Sequence, residues 1–368
     1  MKRDGAERRR ELLLFHPAGV FFVLSTAAAA LLPWLWALSL RDPLQAHVRL
    51  GIFGFGGVAV LGYLLTAQRA WTGLDAPLPA LVLVALAAAA RIIALLCPEA
   101  IWPVCVPLIL IALAILLPVL QARRWDRLLL ALTPFALIGT EVAFIRQQVA
   151  ATFLPIVMAV LILAVGGRMV PAFLAEEQRR RGFLNRTTVA VWPVLGLAGL
   201  GLALNDMAAL LALGSTALWV LYQAGKGIDA WPANRILSIG YAMLAPGLLS
   251  IPATRMGLLP QMVQIHLLTM GAMGSMIAAV ACRVSMRRIE GIGLKPLARH
   301  WIVLWLILAA TVTRCLAEFV PMREAIMVAS GITWSAAWLL FLSVQLTALV
   351  HPAPFPLLSA ERARLKPA

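Results

Sequence analysis

Charge is scarce in this chain: 13% of its 368 residues are Asp, Glu, Lys or Arg, about half the share of an ordinary soluble domain. That scarcity excludes a water-solvated surface, and no segment between the apolar runs is long enough to form a soluble domain. Acidic residues are the rarer sign, 16 against 31 basic ones, for a net charge of +15. On a soluble chain that balance would point to nucleic acid. Here Lys and Arg sit in short clusters between apolar runs, where they read as topology signals, so no nucleic-acid partner is expected. The four cysteines (Cys97, Cys105, Cys282, Cys315) form no CxxC, no CxxCH and no zinc spacing, which disfavours a structural zinc site and covalent c-type haem. Cys97 and Cys105 flank one short connector, but an apolar chain needs no disulfide there.

What is present is apolar sequence, 62% of the chain. That is enough for about a dozen helices of about 20 residues, the length that crosses a hydrocarbon core. Runs broken by Arg, Asp, Pro or Gly predict helices starting near residues 19, 47, 79, 101, 127, 151, 187, 207, 235, 260, 300 and 327. Lys2, Arg3 and Arg8 to Arg10 ahead of an apolar stretch imitate a secretory signal, but the run of about 22 residues is too long and reads as the first span. The connectors alternate in charge. Arg69, Arg123, Arg124, Arg127, Arg179 to Arg181, Arg186, Lys226, Arg287 and Arg288 fall on the side of the basic N-terminus, whereas the other side carries Arg41, Arg49, Arg146, Arg255 and Arg323. The fold class predicted is an all-α protein of twelve transmembrane helices in a lipid bilayer, with both termini cytoplasmic. Residues 1–18 form one tail, 19–350 the bundle and 351–368 the other tail.

Five histidines occur, and the topology sorts them. His16, His300 and His351 fall at cytoplasmic helix ends, where an imidazole needs no special role. His47 and His266 fall near the outer ends of the second and tenth spans, which run the same way, so they sit at comparable depth. In the tenth span Met262, His266, Met270 and Met273 recur at i, i+4, i+8 and i+11, one face of a helix. Thioether and imidazole together suit copper(I) or haem iron, although methionine also fills gaps in apolar bundles. In the second span Gly51 and Gly54 stand four and seven residues after His47, leaving a side-chain-free face on which a flat macrocycle or another helix would lie. Ionisable residues gather toward the same side: Arg91, Glu141, Arg314 and Glu318. Arg314 and Glu318 are spaced to pair with each other. Arg91, Arg314 and Arg146 would alternatively hold the propionates of a b-type haem, since the guanidinium fork binds both oxygens of a carboxylate. Small residues such as Gly62, Gly196, Gly199, Gly201, Gly271 and Gly274 read as places of close helix packing.

Three stretches then become recognisable together. The second span continues from His47 through Phe53-Gly54-Phe55 to Gly62-Tyr63-Leu64-Leu65-Thr66-Ala67 and Trp71-Thr72-Gly73. The sixth ends Gly167-Arg168-Met169-Val170-Pro171-Ala172-Phe173. The tenth reads His266-Leu267-Leu268-Thr269-Met270-Gly271-Ala272-Met273-Gly274 and closes with Ala281-Cys282-Arg283-Val284. Over most of its length the chain resembles the NnrS family, bacterial polytopic membrane proteins that contain haem and copper and are associated with the response to nitric oxide. Where the family carries His-x-His-Glu, this chain has His47-Val48-Arg49-Leu50, a departure that removes two candidate metal ligands. Phe15-His16-Pro17 stands where the family tends to show Phe-Arg-Pro.

The resemblance implies a multi-pass protein of the bacterial inner membrane that binds haem b, with copper as a second metal, and senses or protects against nitric oxide or another small gas. His47 and His266 would be the iron ligands, facing one another across a pocket open to the periplasm, with Met262 or Met270 as alternatives. A haem-copper oxidase or nitric oxide reductase is excluded by arithmetic: about six histidines are needed, and two stand on the correct side. The alternatives are a secondary transporter using Glu141, Arg314 and Glu318, and a copper or haem delivery factor using the methionine face. Whether the chain is an enzyme stays open.

Overall fold

The computed structural model describes residues 12–38, 40–181, 191–289, 293–354 and 357–358. The basic residues of both tails and Arg186 lie outside them. The described chain is helical apart from a two-stranded antiparallel hairpin, β1 (Arg287–Ile289) and β2 (Gly293–Lys295).

Among the described residues ten helices are long and apolar enough to cross a membrane. They are α1 (Pro17–Ala37), α2 (Pro43–Thr72), α4 (Trp102–Gln121), α5 (Trp125–Ile145), α6 (Leu154–Arg180), α8 (Asp206–Gly225), α9 (Pro232–Arg255), α10 (Gln261–Ser285), α11 (Ala298–Leu316) and α12 (Arg323–Ala348). Two shorter apolar helices, α3 (Ala80–Leu96) and α7 (Val191–Leu204), complete the order. This is an all-α, multi-pass membrane architecture.

Local chemistry sets the helix ends. Before α2, Asp42 accepts a hydrogen bond from the Gln45 N–H at 2.9 Å and Pro43 opens the first turn, the usual way to satisfy an exposed N-terminal donor without losing one. Gly73 ends the same helix at a φ of 73°, a left-handed conformation that glycine adopts at no steric cost. His16 caps α1, its Nδ1 accepting the Ala18 N–H at 3.2 Å. His300 in α11 accepts from the Leu297 N–H at 2.9 Å and bonds the Ser285 hydroxyl. Two of the three histidines assigned to helix ends are therefore built into those ends.

The chain divides into two compact units. Unit 1 comprises residues 1–151 and 338–368, and unit 2 comprises residues 152–337. The core of unit 1 gathers Phe21 and Phe22 of α1, Phe55 of α2 and Trp338 and Phe341 of α12, all buried. Phe55 meets Trp338 edge-on with ring centroids 4.9 Å apart, the geometry that aromatic quadrupoles favour. Close approach depends on Gly62, where a Cβ would stand 2.5 Å from the Phe21 Cβ. In unit 2 the matching contact is Gly274 of α10 against the Trp334 ring, where a Cβ would come within 2.8 Å. By contrast Gly196 and Gly199 face open space, so the packing reading holds for some small residues and not for these.

Candidate functional site

Helices α2 and α10 share an unusual construction. After His47, α2 winds as a π-helix over Leu50–Gly57. After His266, α10 does the same over Leu267–Gly274. Wide turns of this kind are rare, concentrate at functional positions and disturb the regular carbonyl ladder. Both segments are glycine-rich, LGIFGFGG and LLTMGAMG, and each has a fully buried serine on its carbonyls. The Ser25 hydroxyl of α1 donates to the Phe55 carbonyl at 2.8 Å. The Ser275 hydroxyl donates to the Gly271 carbonyl of its own helix and also approaches the Gly240 carbonyl at 3.2 Å.

In unit 1, the His47 ring is half-buried and lies 5.7 Å from the Trp36 ring. Its Nδ1 stands 3.2 Å from the Leu32 carbonyl. A carbonyl can only accept, so Nδ1 carries the proton and the lone pair resides on Nε2. The glycine face below the imidazole is covered by helices: a Cβ on Gly51 would meet the Leu32 side chain at 3.6 Å, and one on Gly54 would meet Arg91 at 3.5 Å and its own neighbour Leu50 at 2.7 Å.

Two residues after His47 the structure corrects the topology reading. Arg49 is not a loop charge but a buried one, 1% exposed. Its Nε and Nη2 donate to Glu141 Oε1 at 3.2 and 3.1 Å, and its Nη1 donates to the carbonyls of Ala94 and Pro98 at 3.0 and 2.7 Å. Arg91 grips the same carboxylate, Nη1 to Oε1 at 3.0 Å and Nη2 to Oε2 at 2.9 Å. Arg91, read as a propionate partner, is thus held by Glu141. Arg146 is exposed at the end of α5.

In unit 2, His266 is half-buried and its Nδ1 lies 2.7 Å from the Met262 carbonyl one turn back, which again places the lone pair on Nε2. The methionines do not share one environment. Met262 is 40% exposed, Met270 half-buried and Met273 2% exposed. Met262 lies in the α-helical turn before His266, whereas Met270 and Met273 lie in the π-helix that follows it, whose turns are wider than the α-helical period. Arg314 donates to Glu318 at 2.7 Å, as its spacing predicted, and Arg323 adds a second contact to Glu318 at 3.1 Å. Burial raises the Glu318 carboxyl, and hydrogen bonding and charge from Arg314 and then Arg323 outweigh it, so the group rests below its ordinary range.

The other end of α10 holds a network that sequence reasoning did not assemble. Arg283, 4% exposed, stacks over the Phe173 ring at 3.7 Å and donates to Asn234 Oδ1 at 2.8 Å. Asn234 donates to Glu177 Oε2 at 2.7 Å, and the Trp231 N–H donates to Glu177 Oε1 at 2.8 Å. Two signature stretches, the one ending at Phe173 and the one containing Arg283, therefore meet through a cation on an aromatic face. The only sequence signal was that an arginine and a carboxylate each stand near the end of an apolar run. Among the described residues no three His, Cys, Asp or Glu side chains gather as a metal-holding group.

No curated protein matches this chain. The family model of the NnrS protein matches residues 15–353 of the 368, which takes in both π-helices, both anchored histidines and the Phe173–Arg283 contact. The chain belongs to the NnrS family.

Proposed function

We propose that this protein binds haem b in the bacterial inner membrane through His47 and His266 and acts in the response to nitric oxide and nitrosative stress. In this reading it has twelve spans, α3 and α7 included, with both termini cytoplasmic. Family membership supports the biology. The observation that carries the chemistry is that each of the two imidazoles heads a π-wound helix with its Nδ1–H anchored on a backbone carbonyl. That anchor is the usual outer-shell partner of a ligating histidine, because it fixes the tautomer and orients Nε2.

The donor set favours haem over a bare ion. A macrocycle would supply most of the coordination and ask the protein for one or two ligands, whereas a protein-held ion needs three or four. The absence of a three-residue cluster among the described His, Cys, Asp and Glu side chains fits the former. Bound iron would supply an exchangeable coordination position for a small gas. The chain's own part is to orient the imidazoles. Arg146, exposed at the end of α5, is the arginine proposed for the acidic groups of the cofactor, since carboxylates already hold Arg91 and Arg314. No observation favours transport: Glu141 and Glu318, its candidate carboxylates, are each clasped by two arginines.

The absorption spectrum of the purified protein tests this. A Soret band is expected in the wild type and none in a His47→Ala, His266→Ala double variant. The single variants distinguish a shared cofactor, lost with either histidine, from separate ones that each remove part of the band. No band in the wild type, or an unchanged band in the double variant, overturns the reading.

A further inference from the structure

The ion cluster of unit 1 is unbalanced. Two guanidiniums share one carboxylate, so Arg49, Arg91 and Glu141 together carry a formal charge of +1, and they are 1%, 5% and 2% exposed. A buried charge without compensation is among the most costly features a fold can contain.

Bond by bond, the excess can be located. Arg49 uses its donors on Glu141 and on the carbonyls of Ala94 and Pro98. The Ala94 carbonyl belongs to the last turn of α3, the negative pole of a helix, which offsets part of the Arg49 charge. Glu141 already accepts four hydrogen bonds, three on Oε1 and one on Oε2, all from these two guanidiniums. Arg91 offers five N–H groups. Two bind Glu141, and its Nε–H, fully buried, finds no acceptor among the described residues. Surplus charge and surplus donor thus coincide on Arg91.

Beside that surplus lies a cavity of about 20 Å³. Arg91 and Glu141 form its polar end, and Phe53, Gly57, Leu61, Leu108, Pro134, Leu137 and Ile138 form the rest. The volume exceeds the 10 to 15 Å³ or so needed for one water-sized occupant. A water would satisfy the Nε–H but leave the charge. A monovalent anion would do both, and apolar walls favour a weakly hydrated one, because it loses least on leaving water.

We propose that this cavity is a binding site for one small monovalent anion of the halide class, held by the Nε–H of Arg91 and neutralising the Arg49–Glu141–Arg91 cluster. The site lies wholly within unit 1 and does not depend on the haem reading.

Bromide is the probe. The full-length protein in detergent, exchanged into halide-free gluconate buffer, is titrated with bromide and, at matched ionic strength, with sulfate, while the unfolding temperature is followed. A saturable upward shift with bromide and none with sulfate is expected. Arg91→Leu, which leaves a one-to-one pair of Arg49 and Glu141, should abolish the shift. Gly57→Ala provides a second variant that is sterically mild, since a Cβ there meets nothing closer than 3.7 Å. Its methyl enters the cavity and should raise the bromide midpoint by about tenfold or more, about 1.4 kcal/mol. Arg41→Ala, in an exposed pair with Glu99, should respond like the wild type. Equal responses to bromide and sulfate, no response, or a wild-type response in both cavity variants overturns the proposal.

Discussion

Helices α2 and α10 open alike and end differently. Each presents a carbonyl-anchored histidine and then a glycine-rich π-helix with a buried serine bonded to its carbonyls. In α2 the buried cation follows two residues after the histidine, at Arg49. In α10 it follows seventeen residues later, at Arg283. The histidine and the wide turns are therefore a common module, whereas the ion clusters are local solutions to anchoring each helix. The two carboxylates also differ: Glu141 lies within α5 and is shared by two buried guanidiniums, whereas Glu318 follows the end of α11 and one of its two arginines, Arg323, is 54% exposed at its side chain.

The largest effect expected from that difference is at Glu141. Glu141→Leu strands two buried guanidiniums and should lower stability by about 3 to 5 kcal/mol, whereas Glu318→Leu, whose partner Arg323 reaches solvent, should lose less. Denaturant or thermal unfolding in detergent compares them, and equal losses would remove the contrast. Next in size is the pair Ser25→Ala and Ser275→Ala. Each leaves carbonyls of a π-helix without a buried donor and should cost about 1 to 3 kcal/mol. Ser25→Ala is expected to be the larger, because it also severs α1 from α2, while the Ser275 bond to Gly271 lies within one helix. The reverse order would show that the π-helix of unit 2 is the more dependent one.

The smallest effect is a pH slope confined to unit 1. Burial, and then the charge of Arg69, pushes the His16 imidazole down to about 4 from its ordinary 6.5. Between those values the unfolded chain binds a proton that the folded chain does not, so stability falls as pH drops from 6.5 to about 4 and is fully present above that window. His16→Asn keeps a capping acceptor and should flatten that part of the slope without changing stability at pH 8. An unchanged slope would assign the acid sensitivity to another group.

Helix placement was legible in the sequence: the expected start near residue 187 lies outside the described residues, and each of the others lies within four residues of an observed helix start. Apolar runs interrupted by Pro, Arg and Asp report it directly, as at Asp42-Pro43 and Trp231-Pro232. The i, i+4 pair Arg314–Glu318 was legible for the same local reason. The burial of Arg49 was not. Its partner stands 92 residues away, and nothing in a single helix distinguishes a topological arginine from one folded onto a distant carboxylate. The π-helices were equally invisible, because glycines at those positions also suit tight packing. The Arg283–Asn234–Glu177 network needed three helices to be assembled before any member looked unusual.

The interrupted makeup of unit 1 bears on synthesis. Its first 151 residues leave the ribosome early, yet Trp338 and Phe341, which complete the aromatic core around Phe55, come from the last helix. Residues 152–337 are all available before them, so the later-made half can finish assembling while the earlier-made half still waits for its final wedge. A chain released before Trp338 would insert most of its helices and still leave a hollow beside Phe55, a ready mark for membrane quality control.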